Sequence, residues 1–259
     1  MFEKSVKKIT NRLIGVLVAL VVLMFLYLVL DPNSYASDLL LDQSGKVAEF
    51  PFTVQTLLWL IFFVGLADSV TIFQLNAYEK QSLAQEILPE SKVKMISEAT
   101  AKGLIDSLVR RGLNQTELGQ VVNKTLLIYL STGAVERSLE MLRESIEVVR
   151  DRNLLAFDLL RYISWLLPTL GFIGTVIGIS LALEIAGNPP IDNDRLGMRD
   201  WMGNLTANLG IAFSTTLLAL AQSAVIVFLQ TSLQTMRDDH HSNIHEYCLD
   251  RLVNKLLPG

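Results

Sequence analysis

Pro168-Thr169-Leu170-Gly171-Phe172-Ile173-Gly174-Thr175-Val176-Ile177-Gly178-Ile179 lies inside an uncharged run from Tyr162 to Leu183. A helix of that length crosses about 30 Å of hydrocarbon. Its middle, however, is built from glycine and threonine rather than leucine. A lipid-facing helix has no use for such residues. Glycine lets helix backbones approach closely, and a hydroxyl at that depth needs a hydrogen-bond partner or water. The pattern predicts a helix at the interior of an assembly, and it is where the function is expected to lie.

Three further segments meet the same length test. Residues 13–30 carry no charge, residues 52–75 are interrupted once by Asp68, and residues 203–232 lie within Trp201–Met236, which has no ionisable side chain. With 51% of the 259 residues apolar, a soluble core of this size would be overfilled. The expected fold is all-α: a polytopic membrane protein with four transmembrane helices and a cytoplasmic helical domain formed by extensions of those helices. The spans are 13–30, 52–75, 159–184 and 203–232. Residues 1–12, 76–158 and 233–259 are placed in the cytoplasm, and loops 31–51 and 185–202 in the periplasm.

Charge sets that orientation. Lys4, Lys7, Lys8 and Arg12 face only Glu3 at the amino terminus, whereas the loop 31–51 has Lys46 beside four acids. The segment 76–161 carries twelve basic residues and twelve acids, with Lys80, Arg150, Arg152 and Arg161 close to the spans. From Glu184 to Asp200, Arg195 and Arg199 stand against four acids. The first apolar segment is longer than a signal-peptide core, and Asp31-Pro32-Asn33-Ser34 is a poor cleavage site, so a retained helix is expected.

The segment after the second span reads as helical throughout. Ser91 is a candidate N-cap for a helix that ends near Arg111 before Gly112, and Thr116 for one running to Gly133. A third helix from Ala134 shows a packing seam of Val135, Leu139, Leu142, Ile146 and Val149. No proline or glycine interrupts Gly133 to Pro168, which predicts one long helix entering the third span. The segment has no phosphate-binding loop, nucleophile elbow or histidine, so neither an enzyme nor a cofactor is expected. The single cysteine, Cys248, excludes an internal disulfide. Basic and aromatic residues do not cluster as nucleic-acid binding would require.

Two polar faces remain. Gly171, Gly174, Thr175, Gly178 and Ala182 share one face of the third span. Asn204, Asn208, Ala212, Thr215, Ala219, Gln222 and Ser223 share one face of the fourth, with Thr216 beside them. They serve either as tight helix–helix contacts or as a polar surface offered to an ion or to a partner's side chain. Neither helix carries an ionisable group near its middle, and hydroxyls do not titrate. Glu184 is at the outer end of its helix. Asp68 lies about 24 Å along the second span, near the cytoplasmic interface, where structural pairing competes with ion translocation. The deficit predicts a partner subunit with an intramembrane acid. The competing readings are a self-contained secondary transporter or channel using Asp68 or Glu184, and a non-conducting scaffold. In the carboxyl tail, Asp238, His241, His245 and Cys248 fall at metal-ligand spacing, a weak zinc candidate against a plain amphipathic helix.

Pro168–Ile179 resembles the penultimate membrane helix of the MotA/TolQ/ExbB proton-channel family, and Ala212-Phe213-Ser214-Thr215-Thr216-Leu217-Leu218-Ala219-Leu220 resembles the start of its last helix. The resemblance covers Trp165 to Thr231 and extends loosely to the long cytoplasmic helices. It implies that Thr175 and Thr216, with Thr215 beside them, face the ion pathway. Pro168 would bend the pore helix. Gly171, Gly174, Gly178, Ala212 and Ala219 would pack it, and Asn208, Gln222 and Ser223 would add polar lining. It further implies a homopentamer around a dimeric single-span partner similar to MotB, TolR or ExbD that supplies a membrane aspartate. The expected setting is the bacterial inner membrane, with ion flow coupled to rotation. Two positions depart from the family pattern: Ile211 stands where ExbB-type members carry glutamate, and Ala219 where a glycine usually follows the threonines. Proton versus sodium and the process powered stay open.

Overall fold

The computed structural model describes residues 2–31, 34–42, 51–85, 88, 95–190 and 195–257. Among these residues the α-helices are α1 (Phe2–Val29), α2 (Tyr35–Leu40), α3 (Val54–Ala84), α4 (Glu98–Arg110), α5 (Glu117–Thr132), α6 (Val135–Leu154), α7 (Asp158–Ala186) and α8 (Arg195–Arg251). Short 3-10 turns occupy Leu113–Gln115, Leu155–Phe157 and Val253–Lys255. Four helical stretches are long and apolar enough to cross a membrane: Ile9–Val29, Val54–Ala84, and portions of Val135–Ala186 and Arg195–Lys255. The chain is an all-α polytopic membrane protein. It forms two compact units, Met1–Thr71 with Leu159–Gln230 and Ile72–Asp158 with Thr231–Gly259.

In the first unit, small residues set the packing. A Cβ at Gly15 would lie 2.7 Å from Ala67 Cβ, so α1 and α3 meet backbone to backbone. Gly65 leaves room for Ile163 of α7 and Ile226 of α8. Neither glycine figured in the expected contacts. Large apolar side chains point outward instead, with Leu13, Leu17 and Met24 of α1 and Phe172, Val176 and Leu183 of α7 all exposed. That inside-out distribution is what a lipid solvent rewards, since hydrocarbon drives no burial of leucine but forbids unpaired backbone. Pro168 shows how the backbone rule is met. A proline lacks the N–H that would bond the carbonyl four residues earlier, and the Ser223 hydroxyl of α8 donates to that carbonyl, Ser164 O, at 2.8 Å.

The second unit has a water-soluble kind of core, with Leu108, Leu126, Leu142, Ile244, Cys248 and Leu252 among its buried side chains. Its helix ends follow capping chemistry. Thr116 Oγ1 accepts from Gly119 N–H at 3.1 Å at the start of α5, as its sequence position suggested. Gly133 ends α5 with φ 66°, and Gly112 follows α4 with φ 69°, a left-handed conformation that costs glycine little. The cap of α4 is Ser97, not Ser91, which lies outside the described residues. Ile96 is held extended by its pairing with Leu256, so the helix starts only after it. Tyr129 fixes the same place by donating to Ile96 O or Leu257 O, 3.2 and 3.0 Å away.

On α6 the expected seam packs against the core, with Leu142 and Val149 buried and Val135, Leu139 and Ile146 partly buried. Ser138, Ser145 and Asn153 complete its buried line. The small serines sit inward because their hydroxyls are satisfied locally, Ser138 on Ala134 O and Ser145 on Met141 Sδ. The helical path from Val135 to Ala186 is continuous but not one uniform helix, because it tightens into a 3-10 turn at Leu155–Phe157. The turn falls between Asn153, whose amide is fully engaged in a polar cluster described below, and the buried Phe157.

Candidate functional site at the interface of α7 and α8

Three glycines bring α7 onto α8. A Cβ at Gly171 would lie 2.5 Å from Ala219 Cβ, at Gly174 2.6 Å from Thr215 Oγ1, and at Gly178 2.7 Å from Ala212 Cβ. No side chain fits at any of these positions without moving a helix. The five small residues singled out from the sequence are therefore brought together in register along one seam.

Against that seam the three threonines separate into two kinds. Thr215 is fully buried, wedged on Gly174, and its hydroxyl donates to Ala212 O at 2.9 Å. It is a packing residue. Thr175 and Thr216 are half-buried and face each other across the helices, their hydroxyls bonded to one another. Thr175 Oγ1 also reaches Gly171 O at 3.2 Å and Ala212 O at 3.1 Å, and Thr216 Oγ1 reaches Gly171 O at 3.0 Å. Two hydroxyl protons are thus shared among more contacts than they can fill at once. The pair can re-orient without leaving either oxygen bare.

The remaining lining residues also differ in their environments. Asn204 is exposed, so the buried face of α8 begins at Asn208. Ser223 is committed to the carbonyl freed by Pro168. Gln222 is 4% exposed with neither amide atom hydrogen-bonded, and Asn208 is buried with an unbonded Oδ1. A buried amide without partners costs about 1–3 kcal/mol, so these two are the uncompensated polar groups of the fourth span.

The acids considered as ion sites are placed otherwise. Asp68 is 1% exposed, and its Oδ1 accepts from Arg12 Nε at 3.0 Å and Nη2 at 2.8 Å. Asn11 donates to Thr71 Oγ1 one turn along at 2.8 Å, so the pair is one rung of the α1–α3 contact. Glu184 is exposed near the end of α7.

A polar cluster in the second unit escaped the sequence reading. Glu117, the first residue of α5, accepts from Arg237 Nη2 at 2.9 Å and Asn153 Nδ2 at 3.0 Å, both on Oε1. Arg237 also donates to Asn153 Oδ1 at 2.6 Å, which fixes the amide's orientation. Asn153 Nδ2 then faces His241 Nε2 at 2.8 Å. Glu79 of α3 accepts from the Glu117 N–H at 2.9 Å, placing a carboxylate at the amino-terminal end of α5. Burial pushes the Glu117 carboxyl up, but the adjoining His241 ring, the Arg237 charge and the Asn153 amide outweigh it and hold it below the ordinary carboxylate value. His240 lies beyond the apolar stretch Trp201–Met236. Burial pushes it down to about 4, against the pull of Glu117. One signal was legible: Asn153 continues the buried line of α6 where an apolar residue is normal.

The weak zinc candidates do not gather. His241 is engaged with Asn153, His245 is half-exposed, and Cys248 is buried in the apolar core, its thiol pushed up to about 12.

Four apolar spans, a small-residue seam and a hydroxyl pair at its centre define a multi-pass membrane protein with a polar locus between its last two long helices. The family model described as the MotA/TolQ/ExbB proton channel family matches residues 100–246, more than half of the chain and all of that seam. The chain belongs to the MotA/TolQ/ExbB proton channel family. No curated protein and no solved structure matches the chain.

Proposed function

We propose that the chain is the channel and stator subunit of an ion-driven membrane motor. Five copies surround a dimeric single-span partner of the MotB, TolR or ExbD kind, in the bacterial inner membrane with both termini in the cytoplasm. The observation that carries this reading is the Thr175–Thr216 hydroxyl pair, set on a glycine seam in two spans that have no titratable group near their middles. Hydroxyls relay or coordinate an ion but do not hold its charge, so a carboxylate must come from the partner. Its supply through a partner aspartate gives each ion about 2.3 kcal/mol per 100 mV of membrane potential to drive relative rotation. The unbonded Gln222 amide and Asn208 Oδ1 support the same reading, since buried polar groups at membrane depth call for water, an ion or another chain. Pairing of Asp68 with Arg12 leaves the second span's acid as a structural element.

Replacing both Thr175 and Thr216 by alanine tests the proposal. The double variant is expected to assemble into rings of unchanged subunit number while ion-driven activity falls to background. Native mass spectrometry reads the assembly and a proton-flux assay with the partner reads the activity. Retention of wild-type flux would remove the hydroxyl pair from the pathway.

A further inference from the structure

In the polar cluster of the second unit, helix capping and ion pairing leave one oxygen of Glu117 and one ring nitrogen of His240 without a hydrogen bond, with the Glu79 carboxylate beside them. One carboxylate oxygen each of Glu79 and Glu117 and a ring nitrogen of His240 lie within 4.8 Å of one another. Glu79 and His240 are buried, and Glu117 is nearly so. His240 is 7% exposed, yet its Nε2 has no hydrogen-bond partner, and it sits 3.9 Å from Glu117 Oε2. Glu117 Oε2 is likewise buried and accepts no hydrogen bond, since the nearby His241 Nε2, at 3.3 Å, is turned to Asn153. An imidazole nitrogen and a carboxylate oxygen, both stripped of water and facing each other, are costly to leave so.

We infer that Glu79, Glu117 and His240 form a binding site for a divalent first-row transition-metal ion, with zinc the best-fitting case. One nitrogen and two oxygens form a donor set suited to zinc or manganese, whereas calcium and magnesium take oxygen alone. Metal–ligand bonds near 2.1 Å require ligand atoms about 3.3–3.6 Å apart in a tetrahedral site, so closure asks for side-chain movements of about 1 Å. The surrounding bonds have the arrangement of a ligand-orienting shell. Arg237 and Asn153 hold Glu117 through Oε1, which directs Oε2 at His240, and the Glu117 N–H holds Glu79. Burial favours the neutral imidazole, which is the form that ligates. Arg237 offsets part of the carboxylate charge and moderates the affinity. A metal here would join the α3 tail, the start of α5 and the α8 tail within this one unit, as a structural staple. It does not depend on the channel reading.

The test uses the full-length protein in detergent, stripped with EDTA and then titrated with Zn2+, with Co2+ as the spectroscopic substitute. The expected result is one equivalent of Zn2+ per chain, a rise in Tm on loading, and visible ligand-field absorption from Co2+. Glu79→Gln and His240→Ala should each weaken zinc binding about 10–100-fold, while His245→Ala should bind as wild type. Helicity measured on the metal-free variants separates loss of a ligand from loss of fold. If His240→Ala does not fold, Glu79→Gln and the Co2+ spectrum of the unaltered chain still decide. Absence of stoichiometric zinc in the wild type would overturn the inference, as would loss of binding in His245→Ala but not in Glu79→Gln.

Discussion

Glu117→Gln is expected to lower the stability of the second unit by about 3–5 kcal/mol, the range for removing one partner of a buried ion pair. Arg237 is 9% exposed at the side chain and Glu117 13%, so neither has bulk water to fall back on. The substitution keeps the shape and removes the charge. Arg237 is then left buried against a neutral amide, with Nη1 already lacking a partner. The Asn153 amide and the His241 ring lose their anchor at the same time. Denaturation of the EDTA-treated protein in detergent, followed by proteolysis within residues 95–132, reads the loss without any contribution from bound metal. The double variant Glu117→Gln with Arg237→Met should recover most of it, because removing both charges also removes their desolvation cost. Equal stability of Glu117→Gln and wild type would mean that the cluster contributes nothing to the fold.

A single methyl at Gly171 should destabilise the α7–α8 seam by about 1–3 kcal/mol, and valine there by more. The added Cβ would meet Ala219 Cβ at 2.5 Å, and the Thr216 Cα stands at 3.2 Å behind it. These atoms are fixed to backbone and cannot rotate away, so the helices must separate. Separation also pulls Thr216 off Gly171 O, which couples packing to the hydroxyl pair. Exchanging the two residues, Gly171→Ala with Ala219→Gly, moves the methyl across the seam and should restore stability and ring assembly. Thermal unfolding and native mass spectrometry of the four proteins complete the cycle. A stable Gly171→Ala alone would show that the seam is looser than its distances indicate.

Much of this was readable from residue order because membrane rules are strict. Long uncharged runs fix spans, and glycine at spacings of three and four fixes where backbones meet, as Gly171, Gly174 and Gly178 do against Ala212, Thr215 and Ala219. Capping was legible where one hydroxyl stood alone, as at Thr116. It was not at α4, whose cap is Ser97 because Ile96 is held extended by Leu256, 160 residues along the chain. Periodicity placed Thr215 on the small-residue face with Thr216 beside it, but not that the first is buried in the seam and the second only half-buried. Ser223 read as lining, whereas its hydroxyl answers the carbonyl left by Pro168 on another helix. The Glu79–Glu117–Asn153–Arg237–His241 cluster was hidden for a different reason. Its members come from four helices, and charges in polar helices give no periodic signal until the chain is folded.

Proton flux in proteoliposomes, measured for the subunit alone and with its single-span partner, tests the channel assignment most directly. The expected result is background flux alone, flux on adding the partner, and loss of that flux when the partner's membrane aspartate becomes asparagine. Full flux from the subunit alone would contradict the claim that the hydroxyl-lined seam works on a borrowed acid.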